Sequence, residues 1–294
     1  MGYVRPFDPW RVTSLCTCPF KYTVNPYTGC SHGCLYCYAS SYIKRFFEPR
    51  PKADFLRVVS RDLRRIPPGS IINVSSSSDP YEPLELKYGY TRSLLDMIAG
   101  KYVVEIVTKS DIVSRDADLL MKGSSVVSMT ITTLDRSLAA KLEPRSPPPE
   151  RRLEAIRKLS ELGIPVVVRL DPLIPGLNDS LDSVKGVLEA AATAGVKHVV
   201  CSTYKLKPDN LKRMVNEFPE LIPTLRELYL SKGEKIHGYL YASPSYRLRS
   251  LTVVRDQAHK LGLTFAPCRE GFPQLIDEKV SCDGTHLAFK SKRD

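Results

Sequence analysis

Short β-branched runs separated by helical stretches recur through the first two thirds of this 294-residue chain. Candidate strands fall at Ile71–Ser75, Val103–Thr108, Val126–Thr132, Pro165–Leu170 and His198–Ser202, with Tyr22–Asn25 as a weaker first one. Helical patterns lie between them at Thr91–Ala99, Arg115–Met121, Pro149–Leu162 and Leu181–Ala194, where Pro149 is placed to open a helix and Gly163 to close it. Continuous apolar strands that alternate with helices imply right-handed βαβ units and a parallel sheet covered by helices. Six such units make an α/β fold, an incomplete (β/α)6 TIM-like barrel. The expected division is a partial barrel with an N-terminal cysteine segment over residues 1–205 and a C-terminal extension over 206–294. In that extension the alternation fades into an appendage with one more helix near Leu251–Leu261.

Parallel sheets and barrels carry their reactive groups at the carboxyl ends of the strands. Here those segments are unusually polar: NPYTGCSHGCLYCY, SSSSDPYEPLE, TKSD, TTLD, RLDPLIPGLND and STYK. The chain is 43% hydrophobic and 26% charged, which suits a globular core and excludes disorder. No apolar run approaches the ~20 residues that cross a bilayer, and the start MGYVRPFDPWRV lacks a secretory h-region. A cytoplasmic protein with no membrane partner is expected. Lysine plus arginine outnumber aspartate plus glutamate by 43 to 32, so the net charge of +11 allows an anionic partner without naming it.

Five of the eight cysteines stand in the first 37 residues. In a reducing compartment such clustering points to metal ligation or catalysis rather than to disulfides. Cys30, Cys34 and Cys37 occupy one glycine-containing loop just after the first strand. Three thiolates hold three corners of a cubane iron–sulfur cluster and leave one iron open, where four would close it. The competing reading is zinc, with His32 as a fourth ligand.

Cys30-Ser-His-Gly-Cys34-Leu-Tyr-Cys37 resembles the signature of the radical S-adenosylmethionine superfamily, including the aromatic residue before the last cysteine. Further stretches, among them Asn25-Pro-Tyr-Thr-Gly-Cys30, Asp79-Pro-Tyr-Glu-Pro, Thr108-Lys-Ser110, Glu143-Pro-Arg145 and Pro172-Leu-Ile-Pro-Gly, are similar to the branch related to spore photoproduct lyase. The resemblance implies a 4Fe-4S cluster on the three cysteines and S-adenosylmethionine on its open iron. Reduction by a reductant such as ferredoxin or flavodoxin would then give a 5′-deoxyadenosyl radical that takes hydrogen from a substrate. It also implies cofactor contacts for Ser75, Ser77, Asp79, Thr108, Lys109 and Ser110, and a carboxylate partner in Arg145 or Arg169. Tyr36 would pack on the adenine or fill the barrel mouth. Taken alone, the serine run is a turn and the arginines are surface charges.

Cys16 and Cys18 precede the loop, and Cys268 and Cys282 lie near the other end of the chain. Two plus two ligands could close a four-cysteine site holding a second Fe-S cluster or zinc, and inert buried thiols are the alternative. Cys201, ending the sixth strand, is a candidate hydrogen donor or a core residue. Family lyases use a donor cysteine downstream of the loop, and between Cys37 and Cys201 this chain has none. Between Lys44 and Arg65 eight basic residues face three acidic ones, interleaved with aromatics. DNA or RNA is therefore the leading substrate expectation, against a solvated helix face. A peptide or small metabolite is the second enzymatic expectation. A non-enzymatic Fe-S electron carrier or zinc-stabilised nucleic-acid-binding protein is the alternative of another class.

Overall fold

The computed structural model describes residues 2–7 and 15–290. Seven strands run parallel in chain order: β1 (Tyr22–Val24), β2 (Ile71–Val74), β3 (Val103–Thr108), β4 (Ser125–Thr130), β5 (Val166–Leu173), β6 (His198–Thr203) and β7 (Thr264–Pro267). Val24 pairs with Val74 and Val74 with Ile106, so the register carries one apolar row across the sheet. Arg5–Pro6 adds a two-residue antiparallel strand at the β1 edge. The outer edges do not pair with each other among the described residues, leaving the barrel incomplete.

The helices are α1 (Phe55–Leu63), α2 (Tyr90–Ile98), α3 (Pro149–Glu161), α4 (Leu181–Thr193), α5 (Pro208–Glu217), α6 (Pro244–Lys260) and α7 (Thr285–Lys290). Helices α2, α3 and α4 end within a residue of the bounds expected from the sequence. Ser180 caps α4 by accepting from the Ser183 amide at 3.2 Å. The stretch expected as one helix over Arg115–Met121 divides into a 3-10 turn, Asp111–Asp116, and a short helix, Ala117–Leu120. The last expected helix begins at Pro244 rather than Leu251, because Ser243 and Pro244 supply an N-cap and a first-turn proline.

Side-chain alternation divides the sheet into two faces. Ile106, Met129, Val168, Leu170 and Val199 pack outward against Leu95 of α2, Ile156 of α3, Val187 of α4 and Val254 of α6. Each fully buried aliphatic side chain there contributes about 1.5–3 kcal/mol. Ile71, Val103, Val126, Val167 and Val200 point inward and are closed off by Ala288 of α7. The C-terminal region therefore does not hang from the barrel as an appendage. It supplies β7, which pairs with β6, and a helix that plugs the barrel floor. Gly284, at φ +77°, lets the chain enter there: a Cβ would stand 2.3 Å from Val167 Cγ2. Among the described residues no helix is long and apolar enough to cross a membrane.

Candidate active site

The three-cysteine loop leaves β1 and folds back at Gly29, whose φ of +85° is open to glycine. A side chain there would strike the Phe46 carbonyl, 2.3 Å from an added Cβ, and that same oxygen accepts the Cys30 amide at 2.8 Å. Farther along, α5 grips the loop's carbonyls. Arg213 donates to the carbonyls of Leu35 at 3.0 Å and Cys37 at 2.8 Å, and Asn210 donates to that of Tyr36 at 3.1 Å. Neither residue stands out in the sequence, because the bonds span more than 170 positions and α5 itself has no barrel-like pattern. Burial raises all three thiols, Cys34 to about 12, with Lys109 opposing the shift at Cys34. His32 is buried with Nδ1 3.6 Å from Asp79 Oδ2, and burial lowers its pKa.

The ends of β2 and β3 form the facing rim. Asn25 Oδ1 accepts from the amides of Ser76 and Ser77 at 3.0 and 3.1 Å and so shapes the serine run, a role that its place in the sequence does not announce. Asp79 accepts from Thr108 Oγ1 and the Lys109 amide, both at 2.7 Å, and from the Tyr81 amide at 2.9 Å. Its carboxylate is thereby occupied in fastening the β3 end to the β2 loop. Ser75, at φ +69°, is buried and its hydroxyl has no hydrogen-bond partner among the described residues. Burial alone would depress the Lys109 ammonium, yet Cys34 and Glu143 raise it. Its Nζ lies 5.5 Å from the centre of the Tyr36 ring. Tyr36 donates to Glu143, which also pairs with Arg152 at 2.5 Å, so this ring is anchored in the barrel mouth.

Ser75, Ser77, Asp79, Thr108, Lys109, Tyr36 and Arg169 line one cavity of about 760 Å³ with Cys30, Cys34 and Cys37. Three expected residues do not join them. Ser110 turns away to cap the 3-10 segment, accepting from the Ile112 amide at 3.4 Å. Arg145 is exposed behind the loop, its Nη2 3.1 Å from where a Gly33 Cβ would be. Cys201 is fully buried among the outward-facing residues, since its neighbours Val200 and Ser202 take the inward positions of β6. Its side chain does not line the cavity. Its backbone contributes instead: the Cys201 carbonyl accepts the Cys268 amide at 2.8 Å.

Cys16, Cys18, Cys268 and Cys282 do come together, and they line the same cavity. Cys18 and Cys282 sulfurs are 3.0 Å apart. The neighbouring Cys282 thiol, aided by Arg169 and Arg269, overcomes burial and brings the Cys268 thiol down to about 6. Arg169 also pairs with Asp171 at 2.7 Å and lines the cavity with Cys268, whose charge helps to raise its pKa. Beneath lies a buried triad in which Lys21 Nζ contacts Glu105 and Asp283 carboxylates, each at 2.6 Å. Burial pushes Glu105 up to about 7. On the outer side Arg269 donates to Tyr38 Oη at 2.7 Å, and Tyr239 packs edge-on against Tyr38.

The model of the radical SAM superfamily matches residues 24–191, more than half of the chain, and the chain belongs to that superfamily. It is 34% identical over 180 residues to an uncharacterized protein of Methanocaldococcus jannaschii, covering 60% of this chain and 67% of that one. It is 23% identical over 256 residues to the radical SAM Nalpha-GlyT isomerase of Pseudomonas phage M6, covering 83% of this chain and 53% of the isomerase. Its fold is similar to that of a spore photoproduct lyase variant with bound AdoMet and dinucleoside spore photoproduct. There the TM-score is 0.65 at 16% identity, over 83% of this chain and 75% of the lyase.

The superfamily implies a 4Fe-4S cluster and S-adenosylmethionine, and the residues present fit both. Three thiols and the buried Ser75 hydroxyl, unpartnered among the described residues, line the same cavity. Among the described residues no three or more His, Cys, Asp or Glu side chains gather as they would round a single ion. That is as true of the other four thiols as of Cys30, Cys34 and Cys37, whose thiolates a polynuclear cluster would spread over separate irons.

Proposed function

We propose that the protein cleaves S-adenosylmethionine reductively and uses the resulting radical to take hydrogen from a nucleic-acid substrate. The observation that carries the first half is the single cavity shared by the three loop thiols and the Ser75–Lys109 rim. When bound, a 4Fe-4S cluster with one open iron supplies chelation of S-adenosylmethionine and its one-electron cleavage to methionine and a 5′-deoxyadenosyl radical. Cys30, Cys34 and Cys37 hold that cluster. The Ser75 hydroxyl takes a polar group of the cofactor, and the Lys109 ammonium offers a donor to its carboxylate. Asp79 keeps Lys109 in place through the main chain, and Tyr36 closes the mouth against water. A small reductant protein of the ferredoxin or flavodoxin type delivers the electron.

The nucleic-acid half rests on two supports. Both a named relative and a structural neighbour carry names that refer to a modified residue or photoproduct: Nalpha-GlyT isomerase and spore photoproduct lyase. The cavity lining also combines Arg269 with the rings of Tyr38 and Tyr239, a pairing of a cation with aromatics that suits phosphates and bases. The test is anaerobic turnover with S-adenosylmethionine, dithionite and deuterated DNA or RNA. Deuterium in 5′-deoxyadenosine is expected. Formation of 5′-deoxyadenosine with no label from either nucleic acid would remove the substrate assignment while leaving the cleavage step.

A further inference from the structure

We propose that Cys16, Cys18, Cys268 and Cys282 hold a second iron–sulfur cluster that opens on the same cavity as the first three thiols. Its ligands come from opposite ends of the chain: Cys18 and Cys282 are 264 positions apart and their sulfurs are 3.0 Å apart. Cys16 and Cys268 line the same cavity beside them.

Two features separate this set from inert core thiols. An inert cysteine packs as a small hydrophobe. Here Lys21, Arg169 and Arg269 line the cavity together with the four thiols. The cations supply the positive charge that a tetrathiolate centre needs in a buried site. Moreover, the Lys21–Glu105–Asp283 triad fastens the residue next to Cys282 to the strand that follows Cys18, so both ligand segments rest on one rigid base. A further feature separates it from structural zinc. Structural zinc completes its four-coordinate shell with protein ligands and needs no chamber beside it. These four residues border a cavity of about 760 Å³ together with Cys30, Cys34, Cys37 and the Lys109 rim. A redox-active centre placed there lies within the reaction chamber rather than in a remote fold-stabilising position. The inference relies on the proposed function only for what occupies the neighbouring loop.

The two are tested separately by removing the loop site. The Cys30→Ala/Cys34→Ala/Cys37→Ala variant, isolated anaerobically as the full chain, is assayed for iron, zinc and acid-labile sulfide and examined by Mössbauer spectroscopy. It is expected to retain about two to four iron atoms with matching sulfide, the content of clusters held by four cysteines. Adding Cys268→Ser and Cys282→Ser is expected to remove that iron. A loop variant with no iron, one with zinc in place of iron, a metal-free Cys18–Cys282 disulfide, or iron that survives the added serines would each overturn the proposal. If the triple substitution does not fold by circular dichroism, the single Cys34→Ala variant carries the same measurement. Failure of the wild-type protein to cleave S-adenosylmethionine would count against the proposed function and leave this iron count standing.

Discussion

The two cysteine sets reach one cavity by opposite routes. Cys30, Cys34 and Cys37 are placed by a short loop whose turn is fixed by Gly29 and the Phe46 carbonyl. Cys16, Cys18, Cys268 and Cys282 are placed by buried charge and by the topology that brings β7 beside β6 and α7 into the floor. The first arrangement is built from neighbours in sequence, with Arg213 and Asn210 of α5 gripping its carbonyls, and takes no support from the barrel floor. The second exists only once the whole barrel has closed on its own tail. The difference predicts that damage to the floor disperses the four thiols before it disturbs the loop.

The largest effect on this contrast is expected from Lys21→Met. It leaves Glu105 and Asp283 buried without their shared cation, a loss of about 3–5 kcal/mol for a broken buried pair. Chemical denaturation should give that drop, and limited proteolysis should cut the C-terminal segment first. Equal exposure of the loop would dissolve the distinction between the two sets. An intermediate effect is expected from Arg213→Ala, which frees the carbonyls of Leu35 and Cys37 at a cost of about 1.5–3 kcal/mol for hydrogen bonds to a charged group. Weaker S-adenosylmethionine binding in equilibrium dialysis, with unchanged proteolysis of the tail, would place this effect on the loop side. The smallest concerns α1. Neutralising Arg57, Arg61, Arg64 and Arg65 should alter stability by no more than about 0.5 kcal/mol. If α1 contributes to nucleic-acid binding, binding isotherms across salt concentrations should show a flatter salt dependence, by up to ~0.9 in slope for each phosphate that these arginines neutralise.

What can be read from the sequence follows the same division. The loop thiols and the strands β2 to β6 are legible because spacing and periodicity encode local geometry. Strand β7 is not: Thr264–Pro267 is only four residues long and ends in proline. The grip of Arg213 and Asn210 is likewise hidden, since no local rule connects α5 to residues 35–37. Cys201 misleads for a different reason. Its strand-end position suggests the cavity, whereas the inward side of β6 falls to Val200 and Ser202. Arg145 does stand next to the loop, but on its outer side.

The most direct measurement is 5′-deoxyadenosine formed from S-adenosylmethionine by the anaerobically reconstituted, dithionite-reduced protein and by its Cys34→Ala variant. Formation by the wild type and its fall to the protein-free background in the variant is the predicted result. A wild type with a correctly loaded cluster that forms none, or a variant that forms as much, would contradict the assignment of the loop as the radical-generating site.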